Sequence, residues 1–164
     1  TREGVGGMSE LERSPLAQPQ ERPDLKVVGF VCDWSVDLKG ILTEDGRLRE
    51  FPGVHVIMVP CSGFIRPSWL EFALKNGADG VFVCGCPYGD CLNREGNFLI
   101  RDRIQQMRRR LQRQRIDPER VAMLAYGLHD REGFLSAMRA FLDDLRKRVG
   151  PGGQVVTKAT QQNG

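Results

Sequence analysis

Four short runs of β-forming apolar residues limit the fold of this chain more than any other feature. They lie at residues 26–32, 54–60, 80–84 and 121–126. Continuous runs of this length and composition are typical of strands that are buried on both faces, as in a parallel sheet. Parallel neighbours need long crossover connections, and the segments between the runs are long enough to supply them. The runs therefore indicate strands joined by crossovers.

Helical signals follow three of these runs, at about residues 66–75, 93–115 and 130–149. Pro67 begins the first helix, because proline lacks the N–H group that a first turn leaves unpaired, and Asn76 with Gly77 ends it. The second and third carry apolar residues at helical spacing on one face. A short helix is also predicted after the first strand, where the spacing of the apolar residues is only loosely periodic, at Val36, Ile41 and Leu42.

Strands and helices thus alternate along the chain, which predicts an α/β fold with three layers. We expect a four-stranded parallel sheet of flavodoxin-like order 2-1-3-4 with helices on both faces. Residues 25–150 are predicted to form this single domain. Residues 1–24, rich in Glu, Gln, Pro and Arg, are expected to be a disordered tail, and residues 151–164 a flexible one.

All five cysteines lie just beyond or at the carboxyl ends of predicted strands. Ligands of such sheets bind at this edge, where the strand order reverses between strands one and three. An odd, clustered set of cysteines favours metal or redox chemistry over a disulfide framework. Iron–sulfur clusters and structural zinc both require thiolates on loops, and the cysteine count alone does not separate them. The candidate ligands are Cys32, Cys61, Cys84, Cys86 and Cys91.

The spacing of the last two cysteines gives some information about the metal. Cys86-x4-Cys91 matches the first interval of plant-type two-iron ferredoxins, whereas zinc usually takes tighter pairs. Gly85 and Gly89 would let the backbone approach inorganic sulfides and offer N–H donors to them. The plain alternatives are that these glycines form a tight turn and that Cys84 is a small buried hydrophobic residue.

Several function classes find little support. The two histidines, His55 and His129, provide one base at the cysteine edge, His129, without an orienting group, which is a weak basis for nucleophilic catalysis. No glycine-rich nucleotide motif follows the first strand. A net charge of +3 does not favour nucleic acid, and no apolar run approaches the roughly 18 residues of a membrane span. A secretory signal is also missing, so the expected location is the cytoplasm.

Two surface features are candidates for partner contact. The helix at about 93–115 has a basic face, which is either a docking surface for an acidic partner or a solvated helix face. Trp34, Phe64 and Tyr88 lie on the loops near the cysteines. The arginines of the basic face are Arg101, Arg103, Arg108, Arg109, Arg110, Arg113 and Arg115.

Several separate motifs resemble the delta subunit of methyl-viologen-reducing hydrogenase, the hydrogenase iron–sulfur subunit family that recurs fused to or beside heterodisulfide reductase subunits. The resemblance covers roughly residues 26–148. The matching pieces are Val59-Pro60-Cys61-Ser62-Gly63, Gly77-Ala78-Asp79-Gly80-Val81, Gly85-Cys86 with Gly89-Asp90-Cys91, and Glu95-Gly96-Asn97.

The resemblance implies an electron-transfer subunit, not a complete enzyme, that carries one [2Fe-2S] cluster. It would relay electrons between a hydrogenase or dehydrogenase and the flavin-bearing subunit of a heterodisulfide reductase-type complex. The implied ligands are Cys32, Cys61, Cys86 and Cys91. The family usually has a further cysteine three residues after the first, and Ser35 stands there. Four ligands then remain, unless Cys84 substitutes, Ser35 ligates through oxygen or the cluster has been lost.

Two alternatives belong to other classes of function. The domain would be a non-redox scaffold if the cysteines bind zinc or nothing. It would be a thiol or persulfide carrier if Cys86 and Cys91 react directly.

Overall fold

The computed structural model describes residues 25–149 of the 164-residue chain. The predicted tails at 1–24 and 151–164 lie outside the described residues. Within residues 25–149, no helix is long and apolar enough to cross a membrane.

Four parallel strands form the sheet in the order β2-β1-β3-β4, which confirms the predicted topology. Their bounds are β1 Val27–Cys32, β2 Val54–Val59, β3 Gly80–Gly85 and β4 Val121–Ala125. Val27 of β1 lies opposite Val54 of β2 and Gly80 of β3, so the three strands begin at the same level. Because all strands are parallel, their carboxyl ends share one edge of the sheet.

Three helices cover the two faces of the sheet, also as predicted. They are α1 Pro67–Lys75, α2 Gly96–Arg113 and α3 Arg131–Arg148. Leu70 of α1 and Ile104 of α2 belong to one hydrophobic core, on the face that carries Val83. Phe134 of α3 belongs to a second core on the opposite face, around Phe82. The fold is therefore a three-layer α/β domain whose sheet lies between two separate cores.

The helix predicted after the first strand was wrong. Residues 33–53 form turns, with short antiparallel bridges that pair Leu42 with Leu48 and Arg47 with His55. Gly40 and Gly46 both take positive φ angles, of 78° and 79°, which interrupts helical geometry. The apolar residues of this segment pack instead into the core beneath α3, where Leu48 is fully buried. Their spacing therefore reflects a covering loop and not one face of a helix.

One glycine in the central strand determines how tightly the second core packs. A Cβ atom at Gly29 would overlap the ring of Phe82, which is fully buried on β3. The Phe82 ring thus occupies the space above β1 that a side chain would otherwise take, and it reaches Phe134 at a centroid distance of 6.1 Å.

We expect Gly29→Ala to lower the free energy of unfolding by about 1–3 kcal/mol, because overpacking displaces a core ring. Urea denaturation followed by circular dichroism measures the change. Gly127→Ala is the matched control, since the nearest atom to its Cβ would be Pro87 Cγ at 3.7 Å, an ordinary contact. Equal stability of the two variants would contradict the packing described here.

Candidate metal centre

Four cysteine side chains from separate segments approach one another at the carboxyl edge of the sheet. Cys32 is the last residue of β1, Cys61 follows β2, and Cys86 follows β3 directly. The Sγ atoms of Cys32 and Cys86 are 3.9 Å apart. Cys61 and Cys91 form a second pair, because both Sγ atoms lie against the backbone of Gly96. The structure therefore arranges the four predicted ligands as two neighbouring pairs.

Gly96 is the first residue of α2, and because it has no side chain, two of these thiols can lie directly beside the start of the helix. A Cβ atom at this position would collide with Cys61 Sγ and lie 3.4 Å from Cys91 Sγ. Gly63 is equally confined, because its Cβ would lie 2.9 Å from the Gly96 Cα. These two glycines let α2 start directly beside the turn that carries Cys61. The residue before α2 is Glu95, whose side chain makes no cap, and the first N–H groups of the helix, those of Gly96 and Asn97, lie at the Cys91 thiol.

Asn97 fastens the start of α2 to the cysteine loop. Its side chain is fully buried, and Nδ2 donates to the carbonyl oxygens of Cys86 at 3.1 Å and Pro87 at 3.0 Å. Its Oδ1 accepts from the N–H of Phe98 at 2.9 Å. A buried amide with both ends hydrogen-bonded fixes the direction of the chain at Cys86.

Arg103, further along α2, holds the segment that follows Cys61. Its Nη1 donates to the carbonyl oxygens of Gly63 at 2.8 Å and Ile65 at 3.4 Å. These carbonyls lie on or just after a 3-10 turn over Ser62–Phe64, where the Gly63 N–H donates to Cys61 Sγ at 3.4 Å. Both sides of the thiol group are thus tied to one helix.

The thiols differ in their tendency to ionise. Burial works against ionisation of Cys91, but three backbone N–H groups outweigh it and hold the pKa of this thiol below its ordinary value. Two of them, those of Gly96 and Asn97, belong to the start of α2, and the third belongs to Asn93 in the loop before it. Burial, reinforced by the neighbouring Cys32, raises the pKa of Cys86. Burial also raises the pKa of Cys84, to about 12.

Cys84 lies apart from the two pairs. Its side chain is fully buried in the core beneath α3. Ser35, also fully buried, approaches it and donates from Oγ to the Cys32 carbonyl at 2.7 Å. β3 ends at Gly85, between Cys84 and Cys86, so the alternation of side chains along a strand does not carry over from one to the other.

The two glycines of the cysteine loop serve different purposes. A Cβ at Gly85 would lie 3.0 Å from Ser62 Oγ, so this residue permits close packing. Gly89 takes a φ angle of 96° with no atom near its Cβ position, as in a turn. Within residues 25–149, no three His, Cys, Asp or Glu side chains surround a point as they would surround a single metal ion. His129 is exposed, and no hydrogen bond joins it to a cysteine in the described part of the chain.

A set of exposed apolar side chains, here called the thiol rim, lies on the segments that follow the strands at the cysteine edge. Its members follow the ends of the strands or form the first turn of α2, and Trp34 is 55% exposed. Tyr88 and Phe98 are in contact, with ring centroids 5.2 Å apart, and exposed apolar clusters are common at interaction sites. The thiol rim comprises Trp34, Phe64, Tyr88, Leu92, Phe98, Leu99 and Leu128.

The basic face of α2 is less available than its sequence indicates. Arg103 binds the carbonyls described above, and Arg108 donates to the Val121 carbonyl at 2.6 Å. Arg110 pairs with Glu71 on α1. Arg101 lies over the Tyr88 and Phe98 rings, at 5.4 and 5.1 Å. Much of this face therefore stabilises the fold, which supports neither a wholly solvated face nor a large basic docking surface.

We expect alkylation of the metal-free protein by iodoacetamide near pH 8 to modify Cys91 before Cys86 and Cys84. The thiolate reacts, and its fraction at a given pH rises as the pKa falls. Mass spectrometry of digested samples measures the order, and the same reaction in urea is the control, where the differences should vanish. Earlier modification of Cys84 would contradict its burial.

Asn97→Asp is expected to lower the free energy of unfolding by about 1–3 kcal/mol, since two buried carbonyls lose their donor. It should also speed alkylation of Cys86 as the loop loosens. Asn93→Asp, an exposed change on the same loop, should have little effect on either quantity. An unchanged rate at Cys86 in Asn97→Asp would show that the amide does not hold the loop.

Comparison with known proteins identifies the family. The family described as methyl-viologen-reducing hydrogenase, delta subunit (FlpD), matches residues 27–148. The iron–sulfur subunit of the vhc F420-non-reducing hydrogenase of Methanococcus voltae is 37% identical over 130 residues, covering 77% of this chain and 87% of that protein. The iron–sulfur subunit of the F420-non-reducing hydrogenase of Archaeoglobus profundus is 36% identical over 129 residues, covering 76% and 90%.

A third relative is much longer. It is one of the subunits of the ferredoxin/F(420)H(2)-dependent CoB-CoM heterodisulfide reductase of Methanosarcina acetivorans, and it is 32% identical over 125 residues, which are 76% of this chain but 16% of that protein. The same domain therefore occurs as a separate protein and as part of a larger polypeptide. The agreement of family match, relatives and fold confirms the resemblance, and the chain belongs to the methyl-viologen-reducing hydrogenase delta subunit family.

Proposed function

We propose that this protein is an electron-transfer subunit that carries one [2Fe-2S] cluster held by Cys32, Cys61, Cys86 and Cys91. The observation that carries the proposal is the arrangement of these four thiols as two pairs at one edge of the sheet. A two-iron cluster takes two protein ligands on each iron. Two pairs of thiols therefore suit such a cluster better than they suit a single metal ion. When bound, the cluster would accept and release an electron.

The surroundings of the thiols favour a negatively charged group. The positive end of α2 and the N–H of Gly63 face the second pair. Such donors stabilise thiolates and tune the reduction potential of iron–sulfur centres. Cys32 and Cys86 are almost fully buried, which keeps water from the first pair. Asn97 and Arg103 hold both loops, so the four side chains need little reorganisation to bind.

The proposed partners follow from the relatives. Proteins similar to this chain are named as hydrogenase iron–sulfur subunits and as one of the subunits of a heterodisulfide reductase. We therefore assign this protein a position between a hydrogenase or dehydrogenase and the flavin-bearing subunit of a heterodisulfide reductase-type complex, in the cytoplasm. The thiol rim is the surface through which electrons would pass, because its residues lie at the same edge of the sheet as the cysteines. The chain itself would make and break no bonds of a substrate.

Anaerobic purification followed by iron analysis and electron paramagnetic resonance tests this function. We expect about two irons per chain and a paramagnetic signal that appears on reduction with dithionite. Cys61→Ser and Cys91→Ser should lose or strongly alter the signal. Cys84→Ala and Ser35→Ala are the matched controls and should keep both iron and signal. The Cys84 side chain lies in the core, and the Ser35 hydroxyl donates to a backbone carbonyl, that of Cys32, so neither side chain is a proposed ligand.

Other outcomes identify the alternatives. Bound zinc without iron would support a non-redox scaffold. A metal-free protein that stays so after anaerobic reconstitution, with a rapidly reacting Cys91, would support a thiol or persulfide carrier. Loss of iron in Cys84→Ala would contradict the ligand assignment.

A further inference from the structure

A second apolar surface lies away from the cysteines, in a groove between β2 and α1. The groove has a volume of about 780 Å³. Its floor is formed by Phe30 of β1 and by His55 and Ile57 of β2, and its wall by Trp69 and Phe72 of α1. Ile57 is 47% exposed and Phe72 68% exposed. Phe30 and Trp69 support each other at a ring-centroid distance of 5.9 Å.

The groove exists because the helices on this face cover only part of the sheet. α1 packs mainly on β3 and α2 on β4, and within the described part of the chain no helix packs as closely on the outer strand β2. Ile57 and His55 therefore project from β2 into open space. The uncovered strip runs alongside α1, whose nine residues are roughly 14 Å long. A further helix laid on the strip would complete the layer.

The charged residues that line the groove are all basic. Lys26 and Arg47 lie at the end near the start of β1, close to His55 on the floor. No aspartate or glutamate lines the groove among the described residues. Asp45, which pairs with Arg47 at 2.7 Å, lies outside the lining. Asp79 also lies at this end, where it accepts from the Lys26 backbone N–H at 2.8 Å. An occupant would thus find apolar contacts along the strand and, at one end, the Lys26 and Arg47 side chains, whose charge Asp45 and Asp79 partly offset.

We propose that this groove, here called the β2–α1 groove, binds an amphipathic helix of a partner protein that carries acidic side chains near one end. Amphipathic helices bind grooves of this kind through apolar residues spaced three and four positions apart. The acidic residues would lie near Lys26 and Arg47, where complementary charge sets the direction of the helix.

Two other occupants fit less well. Phe72, on the wall of the groove, is 68% exposed, so much of its ring lies above the floor. A small molecule confined to the floor would leave that part of Phe72 uncovered, whereas a helix laid along the groove would cover it. A second copy of the chain, bound by the same face, would bring no acidic groove residue to meet Lys26 and Arg47, since the described lining holds none.

The β2–α1 groove is distinct from the thiol rim. It begins at Lys26 and Gly53, whereas the cysteines follow the opposite ends of the same strands. Six strand residues separate these ends by roughly 20 Å. A helix bound in the groove would anchor a partner without covering the thiols, so the inference does not depend on the bound cluster.

Photo-crosslinking in the cells that make the assembled protein tests the proposal. We would replace Phe72 with p-benzoylphenylalanine in the full chain, irradiate, and map the adducts by mass spectrometry. Gln112, an exposed residue on α2, receives the same label as the control. We expect one partner peptide at Phe72, helical in spacing and acidic near one end, and none of it at Gln112.

Charge reversal makes the test specific. Lys26→Glu combined with Arg47→Glu should lower the Phe72 adduct several-fold, while circular dichroism confirms folding and iron content stays that of the unaltered chain. Adducts with a second copy of the chain, an added small-molecule mass, an absent protein adduct, or an adduct that charge reversal does not change would each overturn the proposal. Iron content and the paramagnetic signal report on the cluster separately, so failure of one inference is distinguishable from failure of the other.

Discussion

Parallel pairing of β1 with both of its neighbours is the constraint on which the rest of the structure depends. Because β2 and β3 run in the same direction as β1, the chain must cross the sheet after each strand, and the crossovers supply the layers on both faces. The same geometry places Cys32, Cys61 and Cys86 at one edge, although they are far apart in sequence. The parallel direction of the strands, more than any local motif, brings these cysteines together.

Features that depend on local pattern were predictable from the sequence, and those that depend on distant contacts were not. The buried strands, their order and the edge that carries the cysteines follow from apolar runs and the rules of parallel sheets. Val36, Ile41 and Leu42 misled the helix prediction because their apolar side chains pack in or against the core beneath α3. Apart from the family resemblance, nothing in the sequence marked Gly96 and Asn97 as parts of the site. Their contacts with the cysteine segments exist only because α2 starts beside the Cys61 turn.

Most exposed hydrophobic residues of the described domain belong to one of two apolar surfaces, the thiol rim or the β2–α1 groove. The thiol rim lies where loops end the strands, and the β2–α1 groove lies where the helical layer stops short of the outer strand. The arginines of α2 belong to neither surface as a group, because several are engaged by carbonyls, by Glu71 or by aromatic rings. Charge on this domain therefore serves packing as much as recognition.

The attachment of both cysteine loops to α2 has a mechanical consequence. Asn97 hydrogen-bonds the loop after β3, and Arg103 hydrogen-bonds the turn after β2, so both cysteine segments are attached to α2, an 18-residue helix roughly 27 Å long. A partner that tilted α2 at its carboxyl end would change the separation of the two thiol pairs at its amino end. A displacement of α2 by a bound partner would thus change the distances between the Sγ atoms.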